Sequence, residues 1–83
     1  MVNDASELRL ILYTGPHCEL CDHAFTVYQN LAPANVSLVK QNIRDDAQLY
    51  HLYAVRIPVL KREDTGAELG WPFNENDLEQ FLQ

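Results

Sequence analysis

Positive charge is scarce in this chain: 6 Lys and Arg stand against 12 Asp and Glu, a formal net charge of −6. A surface that acidic repels a phosphate backbone, so nucleic acid is not an expected partner. Long apolar runs are missing as well. No stretch approaches the ~20 residues needed to cross a bilayer. The opening Met1-Val2-Asn3-Asp4-Ala5-Ser6-Glu7 lacks the basic region and apolar core of a secretory leader. Neither membrane association nor export is expected, and a soluble, cytoplasmic protein is the reading these absences favour; a monomer is expected. No linker, repeat or low-complexity tract divides the 83 residues. A single domain over residues 1–83 follows, with 47% hydrophobic residues sufficient for one small core.

Cysteine is the last scarcity, since the chain holds only 2. They allow at most one intramolecular bridge, and they lie close together in Tyr13-Thr14-Gly15-Pro16-His17-Cys18-Glu19-Leu20-Cys21. A bridge between Cys18 and Cys21 closes so short a loop that it hardly constrains the unfolded chain, so its value is chemical rather than structural. The apolar run Leu8-Arg9-Leu10-Ile11-Leu12-Tyr13 reads as a buried strand, Gly15-Pro16 breaks it, and a helical pattern starts after Cys18. At a helix start the free backbone N–H groups and the positive end of the dipole favour thiolate over thiol. Cys18 is thus the expected attacking thiolate, and Cys21, one turn deeper, the expected resolving thiol of a disulfide exchange. Glu19 and Asp22 oppose the thiolate, which places the expected Cys18 pKa in the upper part of the range of about 3.5–7.5 known for such thiols.

The rest of the chain alternates. Leu20, Ala24, Val27, Tyr28 and Leu31 share one helical face, and that helix should end near Pro33. Val36-Ser37-Leu38-Val39 reads as a second strand. A short helix follows from Asp45 to Tyr53, with Asp45 as N-cap and Gln48 placed for a capping box. Arg56-Ile57-Pro58-Val59-Leu60 is apolar and β-branched, and its proline belongs at a strand's start or edge. Arg62 to Gly66 forms a turn, and Ala67-Glu68-Leu69-Gly70 returns as an antiparallel strand. Asn74 caps a last helix, with a staple between Phe73 and Leu78 and a face extended by Phe81 and Leu82. The order is βαβαββα, an α/β fold.

Cys18-Glu19-Leu20-Cys21 at the first strand-to-helix junction, Ile57-Pro58 before a third strand, a hairpin and a closing helix together resemble a small glutaredoxin-like protein of the thioredoxin fold, over roughly Leu8 to Leu82. The resemblance implies a four-stranded mixed sheet flanked by helices, a thiol-disulfide oxidoreductase activity, and glutathione or a reductase as electron donor with no tightly bound cofactor. It also implies that Pro58 is a cis-proline beside the dithiol and that Ile57 offers its backbone to an extended thiol substrate, a glutathione mixed disulfide or a protein disulfide. The chain departs from the family in having Glu19-Leu20 where Pro-Tyr is common, and no Lys or Arg just ahead of Cys18. Arg56-Ile57-Pro58 stands for Thr-Val-Pro, and Gly70-Trp71-Pro72-Phe73-Asn74 for Gly-Gly-x-Asp-Asp. Asn74 with its helix start, and Arg56, are the expected substitutes as carboxylate seats.

Other readings carry less of the pattern. His17 and His23 bracket the cysteines, but the spacing of a four-ligand metal site is absent, so no metal is expected. A non-catalytic binding module or redox sensor on the same fold, with or without a metal or cluster at the dithiol, is the alternative. His51 reads as a surface residue, and Trp71 as a core-edge residue before a substrate surface.

Overall fold

The structure, a computed structural model, describes residues 7–83; the residues on which the expectation of no leader rests lie almost wholly outside them. The chain runs β1 (Leu8–Thr14), α1 (Glu19–Leu31), β2 (Val36–Asn42), a 3₁₀ turn (Ile43–Asp45), α2 (Ala47–Tyr53), β3 (Val59–Arg62), β4 (Glu68–Gly70) and α3 (Glu75–Phe81). The four strands form one mixed sheet in the order β2-β1-β3-β4. β1 pairs parallel with β2, Leu10 opposite Leu38, and antiparallel with β3, Leu12 opposite Leu60; β3 pairs antiparallel with β4. This is the expected architecture.

Alternation along β1 divides the core between the two faces of the sheet. Leu10 and Leu12 point to the side of α1 and α3, where they meet Ala24, Leu60, Phe73 and Leu78. Tyr13 points the other way, into a cluster with Ile43, Tyr53 and Val59 under α2. Each leucine so enclosed contributes about 1.5–3 kcal/mol of transfer free energy. Phe73 and Leu78, the expected staple, are both buried. The Asn74 side chain accepts from the Asp77 N–H at 2.8 Å while the Asp77 carboxylate accepts from the Asn74 N–H at 3.1 Å, a reciprocal cap for α3. At the far end of that helix Arg62 Nη1 donates to the carbonyls of Phe81 and Gln83, at 2.7 and 3.1 Å. The last helix is therefore tied down at both ends.

Three local expectations shift. The second helix is capped by Asp46 rather than Asp45: the chain first makes the 3₁₀ turn, with the Asn42 side chain accepting from Arg44 N–H and Ile43 sealed in the core. Asp46 Oδ1 then accepts from the N–H groups of Gln48 and Leu49, at 2.8 and 3.3 Å, so Gln48 is a recipient of the cap and not its reciprocal partner. Second, β3 begins only after Pro58 and runs through Arg62, because it is a central strand whose ladder needs N–H donors that proline lacks. Third, Leu20 is 48% exposed. In the first turn of α1 the inward position belongs to Cys21, and the buried face continues through Ala24.

Candidate active site

Backbone geometry at the end of β1 places the dithiol. Thr14 ends the strand, Gly15-Pro16 turns the chain, and His17 takes a left-handed conformation (φ 56°) that aims Cys18 at the head of α1. Cys18 is the N-cap: its Sγ accepts the Cys21 N–H at 3.1 Å, and its carbonyl accepts from Asp22 N at 3.3 Å. The two cysteines are joined in a disulfide with their Cα atoms 5.2 Å apart. Cys18 is partly exposed, whereas Cys21 is buried with 3% of its surface accessible. Glu19 and Asp22 stand exposed in the first turn, where they suit the helix dipole but oppose negative charge on sulfur.

The α2–β3 turn lies against the loop that leads into this helix. The Ile57–Pro58 peptide is cis, as the resemblance implies, and so is Trp71–Pro72, which no reading of the residues foresaw. Ile57 lies close to the cysteine loop, for a Cβ added at Gly15 would sit 3.0 Å from Ile57 Cδ1. Its backbone is half committed: Ile57 N–H donates to the Tyr53 carbonyl at 3.0 Å, an acceptor shared with Arg56 N–H at 2.8 Å. Among the described residues its own carbonyl accepts nothing.

A side-chain cluster absent from the sequence reading holds that turn. Tyr53 Oη donates to Glu68 Oε2 at 2.6 Å, and Arg56 Nη2 to Glu68 Oε1 at 2.6 Å. The Arg56 guanidinium also lies 5.0 Å from the centre of the Tyr53 ring, which stacks on Tyr13 at 4.3 Å and 16°. Burial first, and then the bond to Glu68, push the Tyr53 phenol up to about 12. Glu68 is held below the ordinary carboxylate range by the Tyr53 hydroxyl and then by Arg56. The only sequence signal was the Arg56 beside Ile57-Pro58; nothing linked it to Glu68.

The expected carboxylate seats are accordingly filled from within. Arg56 is engaged by Glu68, and the Asn74 cap is closed by Asp77, whose charge occupies the helix start. On the α2 side of the cysteine loop a groove of about 200 Å³ is lined by Pro16, Ile43, Arg44, Tyr50, Ala54 and Ile57, with Gly15. His17, His23 and His51 are exposed, and among the described residues no group of three or more His, Cys, Asp or Glu side chains is placed to hold a metal ion. Trp71 packs edge-on to Phe73 at 5.0 Å against the core, as its core-edge reading has it.

The glutaredoxin-like domain family (DUF836) matches residues 9–83, which include the dithiol, the cis-proline turn and the closing helix. The chain belongs to this family. This glutaredoxin-like domain is similar to the X-ray structure of the structural-genomics target protein XcR50 from X. campestris, with 36% identity and a TM-score of 0.79 over 88% of this chain and 93% of that one. It is similar also to protein Ne2328 from Nitrosomonas europaea, with 25% identity and a TM-score of 0.79 over 100% of both chains. A malarial protein at 16% identity and a TM-score of 0.69 shares the fold. No functionally curated protein matches.

Proposed function

We propose that this glutaredoxin-like domain is a cytoplasmic thiol-disulfide oxidoreductase, with Cys18 as nucleophile and Cys21 as resolving thiol. One observation supports it above others: Cys18 caps α1 with its sulfur accepting a helix N–H, partly exposed, while its partner is buried on the inward face. A sulfur in that position carries negative charge more readily than a free thiol. In the reduced state Cys18 Sγ attacks one sulfur of the substrate disulfide. The substrate S–S bond breaks, and the departing sulfur leaves as a thiolate that takes a proton from water. Cys21, as thiolate, then attacks Cys18 Sγ, the mixed disulfide breaks, and the second substrate thiol departs. Two electrons have passed to the substrate, and the Cys18–Cys21 disulfide remains. A low-molecular-weight thiol such as glutathione, or a dithiol reductase, returns them.

The test is turnover of hydroxyethyl disulfide coupled to NADPH consumption, with glutathione and glutathione reductase in one arm and thioredoxin reductase in the other. Cys18→Ser is expected to abolish turnover in whichever arm is active. Cys21→Ser is expected to accumulate a mixed disulfide visible by mass. Turnover undiminished in Cys18→Ser, or silence of the wild type in both arms and in a single-turnover reaction of the pre-reduced protein, refutes the reading and leaves the binding module.

A further inference from the structure

The groove beside the cysteine loop has a composition that the dithiol chemistry does not require. Its walls are Pro16, Tyr50, Ala54 and Ile57 over a floor of buried Ile43, and Tyr50 is 48% exposed although nothing polar engages it. Arg44 stands at its rim. Arg9, Arg56 and Arg62 each pair with a carboxylate, and among the described residues Arg44 is the arginine that does not. The groove opens at Gly15-Pro16, on the loop that leads into Cys18, and runs to Ile57. Its lining thus includes Pro16, two residues before Cys18, and Ile57, directly before the cis Pro58.

Two further observations decide between candidate occupants. A small anionic thiol such as glutathione presents two carboxylates and an ammonium group and has no apolar side chain; the site offers one unpaired guanidinium, since Arg56 is held by Glu68 and the α3 cap by Asp77. An extended substrate docked by its main chain alone would need both backbone groups of Ile57, and the N–H is already given to Tyr53. Binding must therefore draw on side chains, and the side chains on offer are apolar with one positive charge.

Resting on the oxidoreductase reading, we propose that the physiological substrate is a cysteine within an extended polypeptide segment. A bulky apolar neighbour of that cysteine fills the groove between Pro16, Tyr50 and Ile57, displacing water from its walls, and an adjacent carboxylate pairs with Arg44. Glutathione mixed disulfide is the poorer substrate.

The pre-reduced protein is mixed, in single turnover, with three thionitrobenzoate mixed disulfides: a heptapeptide centred on Leu-Cys-Asp, the same peptide with Ser-Cys-Ser, and glutathione. The Leu-Cys-Asp peptide is expected to react at least about tenfold faster than either competitor at equal, sub-saturating concentration. Arg44→Glu and Tyr50→Ser are expected to bring that ratio to within about twofold, and Leu52→Ser, an exposed apolar change outside the groove, to leave it intact. Equal or faster reaction of the glutathione disulfide overturns the proposal, as does a ratio that survives both groove variants. Hydroxyethyl disulfide, too small to fill the groove, separates the failures: a folded wild type that cannot reduce it defeats the oxidoreductase reading and this one with it. Reduction without peptide preference defeats only the groove.

Discussion

Removing one hydroxyl, in Tyr53→Phe, tests whether the turn before Pro58 is held by Glu68. The ring keeps its stack on Tyr13 because Phe retains the same plane, so the change isolates the bond from Oη to Glu68 Oε2 at 2.6 Å. A hydrogen bond to a charged acceptor contributes about 1.5–3 kcal/mol. Glu68 has a side chain that is 28% exposed and keeps Arg56, so its carboxylate is partly rehydrated in the variant and the expected loss is about 1–2 kcal/mol at neutral pH. For a domain of this size that lowers Tm by roughly 4–16 °C. The pH dependence carries the stronger signature. Glu68 has its pKa depressed on folding, so its contribution is present above the unfolded value of about 4.3 and fades as pH falls through the folded one. Tyr53 has its pKa raised, so its contribution is full below the unfolded value of about 10 and is lost as pH rises toward about 12. The stability difference between wild type and variant should therefore form a plateau from about pH 5 to 9 and shrink on both flanks. Urea unfolding followed by the fluorescence of Trp71, the single tryptophan, measures it. A plateau difference below about 0.5 kcal/mol, or one that stays constant into acid as far as the native state persists, refutes the argument.

Two further changes read the helix ends. Ala32 closes α1 in a left-handed conformation (φ 45°), which costs an L-residue about 1–2 kcal/mol, against about 0.4–1 kcal/mol lost to a more flexible unfolded chain when glycine replaces it. Ala32→Gly should thus stabilise by about 0.5–1 kcal/mol, seen as a higher urea midpoint at unchanged slope. Asn74→Ala removes the acceptor of the Asp77 N–H and should destabilise by about 0.5–2 kcal/mol, with α3 losing amide-exchange protection first.

What could be read from the residues were interactions local in sequence. β1 announced itself by an apolar run with a break at Gly15-Pro16, α1 by its periodicity, α3 by a cap and staple within five residues, and the dithiol by its spacing and place. The misplacements at Asp46 and Leu20 were also local, and each arose where packing overrode a pattern: Ile43 had to reach the core before α2 could start, and Cys21 claimed the inward position that periodicity assigned to Leu20. The Tyr53–Glu68–Arg56 cluster was out of reach for a different reason. Its members come from α2, from the turn and from β4, 12 and 15 residues apart, and no periodicity connects a phenol, a guanidinium and a carboxylate across that distance. Ile57-Pro58 was visible as a motif, but only the fold shows that the Ile57 N–H is already in use.

The scarcity of positive charge acquires its consequence at the site. Arg9 pairs with Glu63 and Arg56 with Glu68, and Arg62 holds both Asp64 and the end of α3. Lys40 lies 3.8 Å from the centre of the Phe25 ring, in the middle of α1. In an acidic chain, cations so engaged are replaced at a cost larger than that of an exposed pair, because Arg62 and Arg56 also satisfy carbonyl and carboxylate acceptors of the fold. The remaining cations among the described residues, Arg44 and Lys61, pair with no carboxylate, and of the two Arg44 lines the groove, its backbone fixed by Asn42. In the proposed reading, that guanidinium beside an apolar groove is what favours a polypeptide segment over a small anionic thiol.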